Sequence, residues 1–198
     1  MHCAIELFAA HGFDAMTMRL LGEAAGLDNS SLYRHFPSKA ALVDAVLDRV
    51  SADVFGAVAP VLDPARALTL KALEDVCAAV GLHLFDHPMA ARLIVHWIMS
   101  MGSQSAGFNV SVRATDKTRP GGKLLALLRE KLDDAVLRGA LRKHGAPEAI
   151  VMLLGIVVIR PATYGYLLKS LEPRRRRDAA RAAWDLELRA AVRGAFAP

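Results

Sequence analysis

Cysteine is scarce in this sequence: Cys3 and Cys77 are the only two among 198 residues, far apart and without CxxC spacing. Neither a disulfide framework nor a cysteine zinc site is expected from such a pair. Long apolar runs are missing too. The longest, residues 149–159, stops at Arg160 and Pro161, well short of the roughly twenty residues that span a bilayer. The opening residues lack an apolar stretch followed by a cleavage site, which argues against a secretory signal and for a cytoplasmic location, with no membrane partner. Catalytic fingerprints are absent as well. No GxxxxGK, HExxH or dinucleotide motif occurs, and GSQSAG at residues 102–107 lacks the spacing of a nucleophile elbow. No enzyme activity and no cofactor are expected. His83 and His87 lie four apart and could share a metal, but no carboxylate motif accompanies them, so hydrogen-bonded histidines and no metal site are expected.

Apolar residues, by contrast, are plentiful at 54%, and they recur three and four apart almost throughout. That spacing predicts an all-α protein. The first helix runs to His11, with Ala4, Ile5, Phe8 and Ala9 on one face, and Gly12 suits a left-handed residue behind it. Thr17 is a plausible N-cap for helix 2, Gly26 permits a tight turn, and Asp28 caps helix 3. Pro37 ends helix 3 after about two turns, because the residue before a proline is pushed out of helical conformation. Ser38 then caps helix 4, whose buried stripe is Val43, Val46, Leu47, Val50 and Val54. Pro60 and Pro64 end it, and the chain divides into a domain at residues 1–50 and a larger helical one at 51–198. Residues 102–122 read as a long loop. The last two helices, at about 148–170 and 176–196, are apolar over much of their surface and predict a homodimer interface. Arg174 to Arg177 read as a solvated connection between them.

Two short helices around a glycine-containing turn, the second with few apolar residues, are what a helix-turn-helix requires. Leu32 and Phe36 can hold helix 3 in place, leaving Asn29, Ser30, Ser31, Tyr33 and Arg34 for the other faces. Short polar side chains let a helix approach base edges, and asparagine can pair with adenine. Tyrosine and serine hydroxyls suit phosphate oxygens. Lys39 beside the serine-capped start of helix 4 suits phosphate, and Thr17 with Arg19 offers a similar clamp. Bulk charge contributes little: the chain is +5 overall, yet residues 1–50 hold four basic and six acidic side chains.

The stretch GFDAMTMRLLGEAAGLDNSSLYRHFPSKAAL resembles the N-terminal domain of the tetracycline-repressor (TetR) family of bacterial transcriptional regulators. The likeness lies in the glycine after an aromatic-containing helix, the AAG turn, a small-residue recognition helix, Leu-Tyr-x-His-Phe and a lysine opening helix 4. It spans about residues 4–47. The resemblance implies that Thr17, Tyr33 and Lys39 hold phosphates and that Arg19, Asn29, Ser30 and Ser31 face or adjoin bases. His35 stands where the family has its histidine. Ser30 replaces a common glycine or proline and Asp28 a common serine, which bears on operator sequence more than on fold.

The expected protein is thus a ligand-responsive regulator, a repressor in the leading reading, that binds a palindromic double-stranded DNA operator as a homodimer. Surplus apolar residues downstream suggest a small apolar or aromatic effector, with Trp97, Met101, Phe108 and Tyr164 as candidate lining and His96 as a polar contact. The competing expectation is a small-molecule binding protein whose N-terminal domain has lost useful DNA affinity, motivated by the acidic excess at residues 1–50.

Overall fold

The computed structural model describes residues 1–99, 116–144, 146–168 and 174–198. Among these residues all regular structure is helical: α1 (His2–Ala15), α2 (Met18–Ala25), α3 (Asn29–His35), α4 (Lys39–Val58), α5 (Leu70–Asp86), α6 (Pro88–Met99), α7 (Pro120–Leu137), α8 (Ala146–Leu168) and α9 (Arg174–Phe196). No helix among them is long and apolar enough to cross a membrane.

Local chemistry explains the helix starts. Thr17 Oγ1 accepts from the Leu20 N–H at 3.1 Å, Asp28 Oδ1 from Ser31 at 2.7 Å, and Ser38 Oγ from Ala41 at 3.1 Å. Each side chain satisfies a donor that the first helical turn leaves unpaired. Thr69 does the same for α5, accepting from Ala72 at 3.1 Å.

Three boundaries differ from those the sequence suggests. Helical structure resumes after Gly12 (φ 77°, ψ 175°) and reaches Ala15, so this glycine is a kink inside α1. Phe13 behind it packs on Phe8, with ring centroids 5.3 Å apart. Residues 120–122, expected in a loop, open α7, where Pro120 presets the backbone angle that a first helical turn needs. Arg174 to Arg177, expected as a connection, form the first turn of α9; arginine is a good helix former.

Two clusters of buried apolar side chains result. One gathers Phe8, Met16, Leu21, Leu32, Leu42 and Val46 from α1 to α4, and takes in Leu93 from α6. The other surrounds Leu73, Leu84, Leu132, Leu188 and Phe196. Helix α6 borders both, since Ala90 and Ile94 pack against each cluster.

Polar contacts fasten the larger cluster. Glu74 on α5 is only 3% exposed. The Arg193 guanidinium on α9 donates to both its oxygens, through Nε at 2.8 Å and Nη2 at 2.9 Å. Along the same seam Arg189 donates to Asp75 and Asp185, and Arg181 to Asp86. The buried Lys131 ammonium donates to the Pro64 carbonyl at 2.9 Å and the Arg66 carbonyl at 2.6 Å, holding the α4–α5 connection against α7. Arg119, just before α7, donates to Asp48 at 2.8 Å and Asp44 at 3.4 Å, both on α4, and to Asp116 at 3.2 Å.

The hydrogen bonds from Arg193 hold the Glu74 carboxyl below its usual range, against the opposing effect of burial. A depressed folded-state value stabilises the fold above the unfolded value and is lost as pH falls through the folded one. Glu74→Gln is therefore expected to lower Tm by about 2–4 °C at pH 7. The gap should shrink as pH falls below the ordinary glutamate value of about 4.3 and on through the lower native one. Thermal unfolding from pH 7 to pH 3 checks both; a gap that does not change with pH sinks the assignment.

Candidate nucleic-acid interface and adjoining cavity

Helix α3 buries a single residue, Leu32, which anchors it to the first cluster. Asn29, Ser30, Tyr33, Arg34 and His35 are exposed, Tyr33 by 48%. Ser31 is half-buried, and its hydroxyl donates to Asp28 Oδ2 at 2.8 Å. The Ser31 backbone N–H, and then this hydroxyl, hold the Asp28 carboxyl below its ordinary value. The cap stays ionised at neutral pH.

The turn before α3 depends on two glycines. Gly26 closes α2 in the left-handed region (φ 65°, ψ 30°). Gly22 sits where a Cβ would lie 3.0 Å from the Leu27 carbonyl oxygen and 3.3 Å from Asn29 Oδ1. Its smallness brings α2 against the start of α3. The sequence pattern did not mark Gly22, because a close backbone approach has no periodic signature.

Thr17 and Arg19 are exposed at the start of α2, and Lys39 is half-buried at the start of α4. The Lys39 ammonium donates to the Asp14 carbonyl at 2.9 Å, drawing the start of α4 towards the end of α1, three residues before Thr17. Arg19 pairs with Glu23 one turn along. Arg19 is thus partly neutralised, whereas Lys39 keeps its charge with one donor engaged; beside these and the exposed Arg34, the surface offers hydroxyl, amide and phenol groups. Such groups suit hydrogen bonding to phosphate oxygens and base edges rather than long-range attraction.

Beyond this surface a cavity of about 160 Å³ lies among α4, α5, α6, α7 and α8. Trp97, Leu47, Val54, Leu128 and Val157 line it, with Ser51 and Cys77 as its other polar side chains among the described residues. Burial pushes the Cys77 thiol up to about 12, so it is un-ionised. The Trp97 indole Nε1–H is buried and meets no acceptor among the described residues. Such a donor ordinarily costs about 1–3 kcal/mol.

Of the other proposed lining residues, His96 lies elsewhere. Its ring faces Gly12, 3.6 Å from where a Cβ would stand, and so belongs to the contact of α6 with α1. Met101 and Phe108 fall outside the described residues, as does the side chain of Tyr164 in α8. The walls supplied by α4 and α7 were missed in the sequence, where their leucines and valines look like ordinary core stripes. His83 and His87 stack with centroids 4.4 Å apart, and His87 Nδ1 lies 2.9 Å from the His83 carbonyl. Burial and then the His87 charge lower the His83 value, with Asp53 and Asp86 opposing. No group of three or more metal-ligating side chains occurs among the described residues.

Residues 1–46 match the family described as bacterial regulatory proteins, tetR family. Over 53 residues the chain is 46% identical to the HTH-type transcriptional repressor KstR2 of Rhodococcus jostii (strain RHA1), a stretch covering 27% of this chain and 26% of that protein. The helical arrangement is similar to the ketosteroid transcriptional regulator KstR2 of Mycobacterium tuberculosis: TM-score 0.66, 17% identity, 98% of this chain and 91% of that one. It is also similar to the TetR family transcriptional regulator PfmR of Thermus thermophilus: TM-score 0.59, 21% identity, 94% and 91%. The all-helical fold is shared with these two structures. The family match and the curated similarity are confined to the N-terminal segment, and the chain spans only about a quarter of the length of the R. jostii protein in that match.

Gly12 holds a backbone conformation open essentially to glycine alone. Gly12→Ala is expected to destabilise the chain by about 1–3 kcal/mol in urea denaturation. Removing the neighbouring ring in Gly12→Ala/His96→Ala should not restore stability, because the strain is in the backbone. Full rescue would show that steric contact with His96, and not φ, is the constraint.

Proposed function

We propose that the chain is a transcriptional repressor that reads a palindromic DNA operator as a homodimer and is released by a small molecule. The observation that carries this is α3, which buries one leucine and presents polar side chains over the rest of its surface. Such a helix gains little from its own fold and suits the major groove. Residues 1–50 form the DNA-reading part and residues 51–198 the ligand and dimer part. Thr17, Tyr33 and Lys39 hold phosphates, and Arg19, Asn29, Ser30 and Ser31 face or adjoin bases, with His35 beside the phosphate-binding tyrosine. The family match of residues 1–46 and the repressor name of the R. jostii relative support this reading.

Dimerisation falls to α8 and α9. Val151 and Ile159 on α8 and Leu186 on α9 are 68%, 49% and 71% exposed, an apolar display that a second copy can cover. Two recognition helices then meet major grooves a helical turn or a multiple apart, roughly 34 Å. An effector in the cavity that favours a different spacing shifts the population away from DNA, with coupling of about 1–3 kcal/mol.

The pairing of Arg19 with Glu23 and the use of Lys39 on Asp14 favour the competing reading, a ligand-binding protein without useful DNA affinity. One experiment separates them. Sequences are selected from a random duplex pool, and the winner is titrated at two salt concentrations with wild type and Tyr33→Phe. The expected result is an enriched palindrome, affinity that falls steeply with salt, and about three- to tenfold weaker binding by Tyr33→Phe. No enrichment at low salt sinks the regulator. A monomer at micromolar concentration in sedimentation sinks the palindromic mechanism.

A further inference from the structure

We infer that Arg34 is the residue by which α3 selects a guanine, its guanidinium donating to the O6 and N7 atoms of that base in the major groove. This rests on the DNA-binding reading proposed above, and it names a specificity-determining residue together with the base it recognises.

Position comes first. Helix α3 runs from Asn29 to His35 and buries only Leu32. At about 100° per residue, Ser31 and Tyr33 stand on the two flanks of that anchored face, while Ser30 and Arg34 stand about 200° round from Leu32, opposite it. Both are exposed. When such a helix lies in the major groove, its flanks meet the phosphate walls and its outermost face meets the base edges. Ser30 is short and allows a close approach on that face. Arg34, one turn on, carries the side chain long enough to reach across what gap is left.

Availability is the second criterion. Of the other arginines on α1 to α4, Arg19 is paired with Glu23 and Arg49 with Asp53. The Ser31 hydroxyl donates to Asp28, and Lys39 has one donor on the Asp14 carbonyl. Arg34 makes no hydrogen bond or ion pair among the described residues. Its full charge and all its donors are therefore open to a partner outside the chain. Its place in the last turn of α3 suits the negative end of the helix, but any cation would serve that purpose.

The third criterion is the shape of the donor set. A guanidinium is a planar fork that only donates, so it is matched by two acceptors side by side. In the major groove guanine presents two acceptors, O6 and N7. Adenine sets an acceptor beside a donor, thymine an acceptor beside a methyl group, and cytosine a donor. Guanine is the base that leaves neither arm of the fork unmatched.

The test repeats the selection from a random duplex pool with wild type and Arg34→Ala, followed by titration of the wild-type winner at two salt concentrations. Arg34 has no contact in the chain to lose, so the variant should fold, and an unchanged thermal transition checks this. The expected wild-type palindrome holds a guanine at one position of each half-site. Arg34→Ala should select the same palindrome with that position relaxed, and should bind the wild-type winner about ten- to hundredfold more weakly with the same salt dependence. Replacing the guanine by 7-deazaguanine, which removes the N7 acceptor, should weaken wild type about three- to tenfold and leave Arg34→Ala unchanged. Uniform weakening of Arg34→Ala on every duplex with a flatter salt dependence would assign the residue to phosphate and overturn the inference. A guanine preference that survives in Arg34→Ala, or a 7-deazaguanine effect of equal size in both proteins, would overturn it as well. Failure of wild type to enrich any sequence is a different result: it removes the DNA-binding reading itself, and the inference with it.

Discussion

Helix α6 serves as a wall for both apolar clusters, and much of the architecture depends on its double role. Leu93 is fully buried in the cluster built by α1 to α4, and Ala91 in the cluster built by α5 and α7 to α9. Successive residues near its end divide the work. His96 lies against the kink at Gly12 in α1, and Trp97 borders the cavity. A helix packed on two sides cannot shift relative to one cluster without disturbing the other, because interiors packed to crystal-like density do not deform smoothly. The cluster that carries α3 and the cavity are thus joined by close packing as well as by the chain.

The opening residues were legible because their signals are local. Thr17, Asp28 and Ser38 each precede a helix by one position, and each accepts from a backbone N–H three residues on. A side chain that satisfies its own neighbour's backbone leaves a pattern a few residues long. Gly12 shows the limit of that method. Its positive φ was readable, but whether the helix ended or resumed behind it was settled by Phe13 packing on Phe8. Propensity marks where a backbone can bend, and packing decides how the chain continues.

Contacts across distant segments left no such trace. Arg119 reaches Asp48 and Asp44 from more than seventy residues away, and Lys131 reaches the Pro64 and Arg66 carbonyls from sixty-five or more. His96 was expected as a polar contact of the pocket, yet consecutive helical residues point about 100° apart, and its ring faces Gly12 while Trp97 is among the lining residues. The cavity was legible only at Trp97. Its other walls come from several helices, and one apolar stripe reads the same in sequence whether it meets a side chain or a space.

Helix α4 runs the length of this junction and links the cavity to the surface proposed to read DNA. It starts at Lys39, beside the polar surface, and carries Ser51 and Val54 into the cavity wall twelve and fifteen residues later. Between these, Asp44 and Asp48 are held by Arg119 at the start of α7, whose Leu124 and Leu128 form another wall. An occupant that displaced α7 would act on α4 through a partly exposed ion pair in the middle of the helix, and on α6 through Trp97. Ion pairs of this kind contribute modestly to stability. A modest contribution suits a switch whose two states differ by a few kcal/mol, since a rigid brace between α4 and α7 would leave a small ligand too little differential affinity to shift the balance.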